Sequence, residues 1–161
     1  QQGGTVLFDT RDQYSSGFDA SSSSPATRRL REILSTMNVP PLEPVPADHV
    51  LTKTFFIMPD FPGRYAGSPL WVEASLDASN AENRPVRSGD GVTPIMITAA
   101  DFAGAWALDR TGAAMFPTVP ADPMQRIYAY RAGVNIMMYM LTGNYKSDQV
   151  HVPALLERLG Q

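Results

Sequence analysis

The chain opens on a short apolar run, Thr5 to Phe8, which follows Gly3-Gly4 and precedes the polar segment Asp9 to Asp12. A short run of strand-forming residues without polar alternation is typical of a strand buried on both faces, as in a parallel sheet. A glycine pair before such a strand commonly closes a preceding helix. We therefore expect residues 1–161 to form a single domain that is the C-terminal portion of a larger α/β domain, with an interior first strand.

Further strands and helices are predicted along the chain. A second buried strand is expected around Ile95 to Ile97, a short one at 70–74, and either a strand or a helical turn at 50–57. The four prolines of residues 39–48 predict a stiff, extended connector. Helices are predicted at 26–37, 101–108, 123–142 and 152–159, and Pro25 and Pro123 suit first helical positions.

The alternation of strands and helices predicts an α/β layered fold in which helical crossovers join parallel strands. The longest predicted helix, 123–142, carries apolar residues at helical spacing, and we expect these residues to form its buried face. They are Ile127, Tyr130, Val134, Met137, Met138 and Leu141.

The composition excludes several classes of function. Hydrophobic residues make up 43% of the chain, which indicates a globular domain. The net charge of -3 gives no general attraction to nucleic acid or anionic lipid, so no nucleic-acid partner is expected. The absence of cysteine excludes disulfides, thiolate zinc sites and a cysteine nucleophile. No apolar run approaches the roughly 18 residues of a membrane-spanning helix.

The motifs of several enzyme classes are also absent. The chain contains no G-x-S-x-G nucleophile elbow, no G-x-x-x-x-G-K-[ST] phosphate loop, no G-x-G-x-x-G fingerprint and no H-E-x-x-H zinc motif. We therefore assign no cofactor and no metal site.

Polar residues follow both predicted buried strands at the point where each strand ends. Asp9, Arg11 and Asp12 follow the first strand, and Asp101 follows the second. Open α/β sheets bind ligands at the carboxyl ends of their strands, so neighbouring strands would place these side chains on one rim. The carboxylates there suit a general base or a metal ligand, but they equally suit caps of the next element or a local ion pair with Arg11.

His49 and Arg131 are the other side chains with a possible chemical role. His49 follows Asp48, but adjacent residues of an extended segment point to opposite sides, so the two would not pair directly. His49 is therefore either a loop cap or a catalyst. Arg131 and Arg126 flank Tyr128 and Tyr130, an arrangement that suits binding of an anion or of a nucleic-acid strand. We favour packing of the tyrosine rings, with the arginines reaching sheet-edge carbonyls or Asp side chains.

Several segments, GGTVLFDTRD, VPPLEPVPADHVLTKTFF, FPGRY, LWVEA and QRIYAYRAGVNIMMYMLTGNYKSDQVHVPALLERLGQ, resemble one family, the domain of unknown function 4159. The resemblance implies a fold similar to class I glutamine amidotransferases, a flavodoxin-like three-layer α/β sandwich whose first strands would precede Gln1. Members of this family often form the soluble C-terminal region of bacterial inner-membrane proteins that begin with an aerotolerance-type double-transmembrane segment.

The segments DTRD, DHVL, FPGR, YRAGVN and ITAADFAGAW match the family pattern. Together with the position-based candidates they define a set of expected ligand-binding residues. The set is Asp9, Arg11, Asp12, His49, Arg64, Asp101 and Arg131. The amidotransferase catalytic cysteine has no counterpart, which argues against glutaminase activity.

The resulting functional expectation is a non-catalytic, amidotransferase-like binding or assembly module of a bacterial cell-envelope protein. Its expected partners are the upstream part of the same polypeptide and other proteins of a membrane complex, and it would reach the inner membrane through the parent protein. Two alternatives stay open. One is a hydrolase-like enzyme that uses Asp9, Asp12, His49 and Asp101, and the other is a small-ligand-binding domain with its site at the carboxyl ends of the strands.

Overall fold

The computed structural model describes residues 4–14, 23–74 and 92–142, and these ranges form a mixed α/β unit. The predicted helix 152–159 and His151 lie outside the described residues. The strands are β1 (Val6–Asp9), β2 (Leu42–Pro44), β3 (Trp71–Glu73) and β4 (Ile95–Thr98), and the helices are α1 (Pro25–Ser35), α2 (Phe102–Trp106) and α3 (Pro123–Thr142), with a 3-10 turn at Val50–Lys53. The α/β class is confirmed.

The four strands form one mixed sheet in the order β1-β4-β3-β2. β1 and β4 are parallel neighbours, with Val6 opposite Ile95 and Asp9 opposite Thr98. β3 runs antiparallel to both β4 and β2. β2 lies inside the proline-rich segment where we expected only a connector, and this is possible because Pro44 ends a strand at the edge of the sheet.

β1 lies at the edge of the sheet among the described residues rather than in its interior, because β4 is its neighbour on one side only. Val6 is accordingly 47% exposed, whereas Ile95 and Met96 on β4 are buried. An apolar run without alternation predicts a strand, but it does not show whether that strand has a neighbour on one side or on both.

The hydrophobic core lies between the sheet, α2, α3 and the 3-10 turn. α3 packs against both α2 and the turn. The buried core residues are Leu51, Met58, Phe61, Leu70, Val72, Met96, Phe102, Ala132, Ile136 and Tyr139.

The buried face of α3 is the opposite of the predicted one. Of the six residues expected to be buried, five are exposed, from 40% at Val134 to 74% at Leu141, and Met138 is half-buried. The helix is apolar around most of its circumference, so apolar spacing alone could not select the face. Small residues lie where α3 meets α2: a Cβ atom at Gly133 would collide with the Trp106 ring, and the Trp106 indole donates to the Ala129 carbonyl at 2.9 Å. The residues that α3 buries are Gln125, Ala129, Ala132, Asn135, Ile136 and Tyr139.

Asn135 holds α3 to the segment around the 3-10 turn. It is fully buried, and its side-chain oxygen accepts a hydrogen bond from the Phe56 backbone N–H at 2.8 Å. Its amide nitrogen donates to the carbonyls of Leu51 and Phe56, both at 2.8 Å. A single polar side chain therefore satisfies three backbone groups that would otherwise be buried without partners.

We expect Asn135→Ala to lower the free energy of unfolding by about 2–4 kcal/mol, because each buried backbone group left unpaired costs about 1–3 kcal/mol. Met137→Ala, two positions away but 53% exposed, is the matched control and should change stability by less than about 1 kcal/mol. Urea denaturation followed by circular dichroism measures both. A larger loss for Met137→Ala than for Asn135→Ala would show that the buried face of α3 is misassigned.

Candidate ligand-binding site

Asp9, the last residue of β1, joins the carboxyl ends of the two parallel strands. Its carboxylate accepts hydrogen bonds from the backbone N–H groups of Asp101 at 3.1 Å and Phe102 at 2.7 Å, just beyond β4. It also accepts one from the Arg11 N–H at 3.2 Å. The rim predicted from the two strand ends is therefore formed, and Asp9 is the side chain that holds it together.

The environment of Asp9 raises the pKa of its carboxyl group. Partial burial is the largest cause, and the nearby Asp101 carboxylate adds to it. The three backbone hydrogen bonds act in the opposite direction without cancelling the effect of burial. Asp9 is thus a structural hydrogen-bond acceptor, and its partial burial makes the charged form of its carboxyl group less favourable.

Asp12 is buried and joins β1 to the start of α1. Its carboxylate accepts hydrogen bonds from the hydroxyl groups of Thr10, Ser24 and Thr27. Ser24 is also the N-cap of α1, because its side-chain oxygen accepts from the Thr27 N–H at 3.0 Å. Burial acts to raise the pKa of Asp12, but the three hydroxyl hydrogen bonds together lower it below the usual value. The local ion pair with Arg11 is not formed.

Two residues of the rim, Arg11 and Asp101, have left-handed backbone conformations, with φ of 54° and 58°. Asp tolerates this conformation through local hydrogen bonds, and the Asp101 carboxylate accepts from the Gly104 N–H at 3.0 Å to cap α2. A Cβ atom at residue 104 would collide with that carboxylate, so the cap requires glycine. The backbone of Arg11 is held by its N–H, which donates to the Asp9 carboxylate at 3.2 Å. Its exposed guanidinium has no ion-pair or hydrogen-bond partner within residues 4–14, 23–74 and 92–142.

Arg64 stands on the turn FPGR and faces Asp101. Its guanidinium lies 3.4 Å from the Asp101 carboxylate, and its Nε donates to the Pro117 carbonyl at 3.0 Å. The guanidinium carbon lies 5.1 Å from the ring centroid of Tyr65 and 5.4 Å from that of Phe116. Arg64 therefore lies beside the carboxyl ends of the strands, and its guanidinium contacts the rings of both Tyr65 and Phe116.

The turn itself is fixed from two directions. Gly63 passes so close to Ala100 that any side chain at residue 63 would collide with the Ala100 carbonyl oxygen. From α3, the buried Gln125 amide donates to the carbonyls of Gly63 at 3.1 Å and Arg64 at 2.8 Å. The position of Arg64 is thus determined by backbone contacts as well as by its own side chain.

These groups surround a cavity of about 620 Å³. A cavity of this size is in the range that holds small ligands, roughly 300–1,000 Å³. Its polar lining consists of Thr10, Arg11, Asp12, Ser24, Arg64 and Asp101, and its aromatic lining of Tyr65 and Phe116.

Of the predicted site residues, Asp9, His49 and Arg131 do not line this cavity. Asp9 instead supports the loop that carries Asp101. His49 caps the 3-10 turn, since its Nδ1 accepts from the Leu51 N–H at 3.1 Å, and its ring lies against Tyr139 with 5.6 Å between centroids. Burial lowers the pKa of His49, which the charges of nearby acidic residues offset only in part. Arg131 lies over the rings of Phe56 and Tyr128, at 5.2 and 5.6 Å from their centroids. The contact of His49 is the loop cap that the sequence allowed. Arg126 reaches backbone carbonyls as expected, whereas Arg131 lies over aromatic rings.

Sequence reasoning missed four residues of the site, Ser24, Thr27, Tyr65 and Phe116. Ser24 carried a usable signal, because serine directly before Pro25 is a typical N-cap. Phe116 carried none, since it lies in a loop that comes to the cavity only through the fold. No group of three or more side chains suited to a metal ion is present in the part of the chain that the structure describes.

The fold and the site define a class: an α/β domain with a polar cleft at the carboxyl ends of two adjacent parallel strands. The chain belongs to the family described as domain of unknown function 4159, whose model matches residues 1–141. No curated protein matches it. Within the described ranges, no helix has the length and apolar character needed to cross a membrane.

Replacing Asp9 with Ala should lower the free energy of unfolding by about 2–4 kcal/mol, because the N–H groups of Asp101 and Phe102 lose their acceptor. Asp60→Ala removes the same charge from an exposed position and should change stability by less than about 0.5 kcal/mol. Guanidinium denaturation of both variants measures the difference. Equal effects of the two substitutions would contradict the structural role of Asp9.

The lowered pKa of Asp12 predicts a specific loss of stability in acid. A group with a lowered pKa in the folded state contributes stability above its unfolded value of 3.8 and loses that contribution as the pH falls through the folded value. The stability difference between the native protein and Asp12→Asn should therefore shrink from about pH 5 toward pH 2. Urea denaturation at each pH gives the difference, and parallel curves for the two proteins would rule out the linkage.

Proposed function

We propose that this domain is a non-catalytic module that binds a small polar ligand in the cleft at the carboxyl ends of β1 and β4. The observation that carries the proposal is Arg11. It is an arginine in a left-handed conformation that costs about 1–2 kcal/mol, and within the described residues its guanidinium has no partner. Residues held in such conformations cluster at active sites and ligand clamps, and Arg11 lines the cavity.

The other charged groups of the cleft already have partners. Asp12 accepts from three hydroxyl groups, and Asp101 accepts from the Gly104 N–H and faces Arg64. Such groups form a preorganised frame whose orientation does not depend on the ligand. A frame of this kind supports binding and leaves Arg11 as the group that gains a partner when a ligand enters.

The same contacts weigh against the hydrolase-like alternative. That alternative needs His49 and a carboxylate within hydrogen-bond reach of each other. His49 instead uses Nδ1 to cap the 3-10 turn, away from the cavity lining. The raised pKa of Asp9 is the one observation that favours an enzyme, because a half-buried carboxyl group of this kind is typical of general bases. Its oxygens, however, accept from three backbone N–H groups.

The proposal extends to the setting that the family resemblance implies. The domain would have an amidotransferase-like, flavodoxin-like sandwich completed by the upstream part of the same polypeptide. The parent would be a bacterial cell-envelope protein associated with the inner membrane, in which this domain contacts other proteins of a complex. Two observations support the proposed completion of the sheet: the parallel pairing of β1 with β4, and the outer edge of β1, which has no partner strand within the described residues. The cell-envelope setting and the partner proteins rest on the family resemblance alone.

The test of the proposal is Arg11→Asn, because asparagine tolerates the left-handed conformation better than arginine does. The variant should be as stable as the native protein or more stable, by up to about 1 kcal/mol, while losing at least about tenfold in ligand affinity. The probes are N-acetylglucosamine, cellobiose, acetate, glycine and inorganic phosphate, each titrated by NMR with the Gly104 amide as reporter.

Arg110→Asn is the matched control, since Arg110 is an exposed arginine that does not line the cavity. It should leave both stability and probe affinity unchanged. Two outcomes would overturn the proposal. One is probe binding that Arg11→Asn leaves undiminished. The other is no binding by any probe at about 50 mM, which corresponds to a binding free energy of only about 2 kcal/mol.

A further inference from the structure

We infer that the ligand of the cleft is a carbohydrate, a neutral sugar ring with several hydroxyl groups, bound with one face on Phe116 and its edge on the polar rim. This inference rests on the proposed binding function and specifies its ligand. Three properties of the cleft support it: the balance of charge, the mixture of donors and acceptors, and the aromatic wall.

The charged groups that line the cavity cancel one another. Arg11 and Arg64 supply two positive charges, and Asp12 and Asp101 supply two negative ones. Arg64 and Asp101 also face each other at 3.4 Å, so neither presents an uncompensated charge to the cavity. A site for phosphate or for another small anion would need an excess of positive charge, because an anion there lies close to two carboxylates. The balance favours a ligand without net charge.

The rim offers hydrogen-bond donors and acceptors side by side. Arg11 contributes guanidinium N–H donors, whereas the carboxylate of Asp12 is already occupied by three hydroxyl donors and orients the hydroxyl groups of Thr10 and Ser24. The hydroxyl groups of Thr10 and Ser24 donate to Asp12. The Thr10 oxygen can still accept from a further donor, and the Ser24 oxygen, which also accepts from the Thr27 N–H, has one lone pair left. A sugar hydroxyl is both a donor and an acceptor, so adjacent hydroxyls on one ring match such an alternating rim.

Phe116 gives the cleft a flat apolar wall. The residue lines the cavity and is 41% exposed, so the ring is accessible to a ligand. The guanidinium carbon of Arg64 lies 5.4 Å from the centroid of the Phe116 ring, and this contact helps to hold the ring in place. A pyranose ring has a face of C–H groups that packs well against an aromatic ring, while its hydroxyls point outward to polar groups. The cavity of about 620 Å³ has room for one or two such rings.

The experiment uses the full chain and two neighbouring substitutions. N-acetylglucosamine and cellobiose are titrated by NMR into the native protein, Phe116→Ala and Met115→Ala, with acetate and inorganic phosphate as charged probes. Phe116→Ala should weaken sugar binding about five- to tenfold, because the stacking surface is lost. Met115→Ala, which removes a side chain that is 56% exposed and does not line the cavity, should leave binding unchanged. The backbone carbonyl of Phe116, which accepts from Arg126, remains in the variant.

The outcomes separate this inference from the proposed function. Sugar binding that requires both Phe116 and Arg11 supports the two together. Binding of acetate or phosphate but of neither sugar, with loss in Arg11→Asn, overturns the carbohydrate inference and leaves the binding function intact. Sugar binding unaffected by Phe116→Ala also overturns the inference, since the ring would then not contact the aromatic wall. Absence of binding by every probe counts against both.

Discussion

The carboxylate of Asp9 is the contact on which the rest of the site depends. By accepting from the backbone N–H groups of Asp101 and Phe102, it holds the chain after β4 against the end of β1. Asp101 is thereby placed to cap α2 and to face Arg64, whose own backbone N–H donates to the Asp101 carbonyl at 3.1 Å. Parallel pairing brings the ends of β1 and β4 together, and the hydrogen bonds of the Asp9 side chain then fix the conformation of the segment after β4.

The cleft combines rigid and exposed parts. Hydroxyl groups, backbone amides and Arg64 satisfy its buried carboxylates, and Gln125 fixes the turn from the opposite side. Buried charges of this kind are retained only when their partners are complete, since an unpaired one would cost several kcal/mol. Among the groups that line the cleft, the guanidinium of Arg11 and the ring of Phe116 are exposed.

The acidic residues of the rim could be predicted from their positions in the sequence. Acidic residues at the ends of two predicted strands were enough to place Asp9, Asp12 and Asp101 together, because parallel strands end on the same side of a sheet. Arg64 was expected only through the family resemblance, and Phe116 was not expected, because both reach the cavity from loops whose positions depend on contacts distant in sequence. The buried face of α3 was predicted on the wrong side because the helix is apolar on both sides, and only the fit of Ala129, Ala132 and Asn135 decides between them.

Gly63 and Gly104 define the cleft by the atoms that they lack. Gly63 leaves room for the Ala100 carbonyl and Gly104 for the Asp101 carboxylate. A methyl group added at residue 63 would displace the backbone at Ala100, and one added at residue 104 would displace the Asp101 side chain. This gives a simple criterion for comparing members of the family: a chain with another residue in the place of Gly63 must hold the segment after β4 differently, however similar the rest of its sequence is.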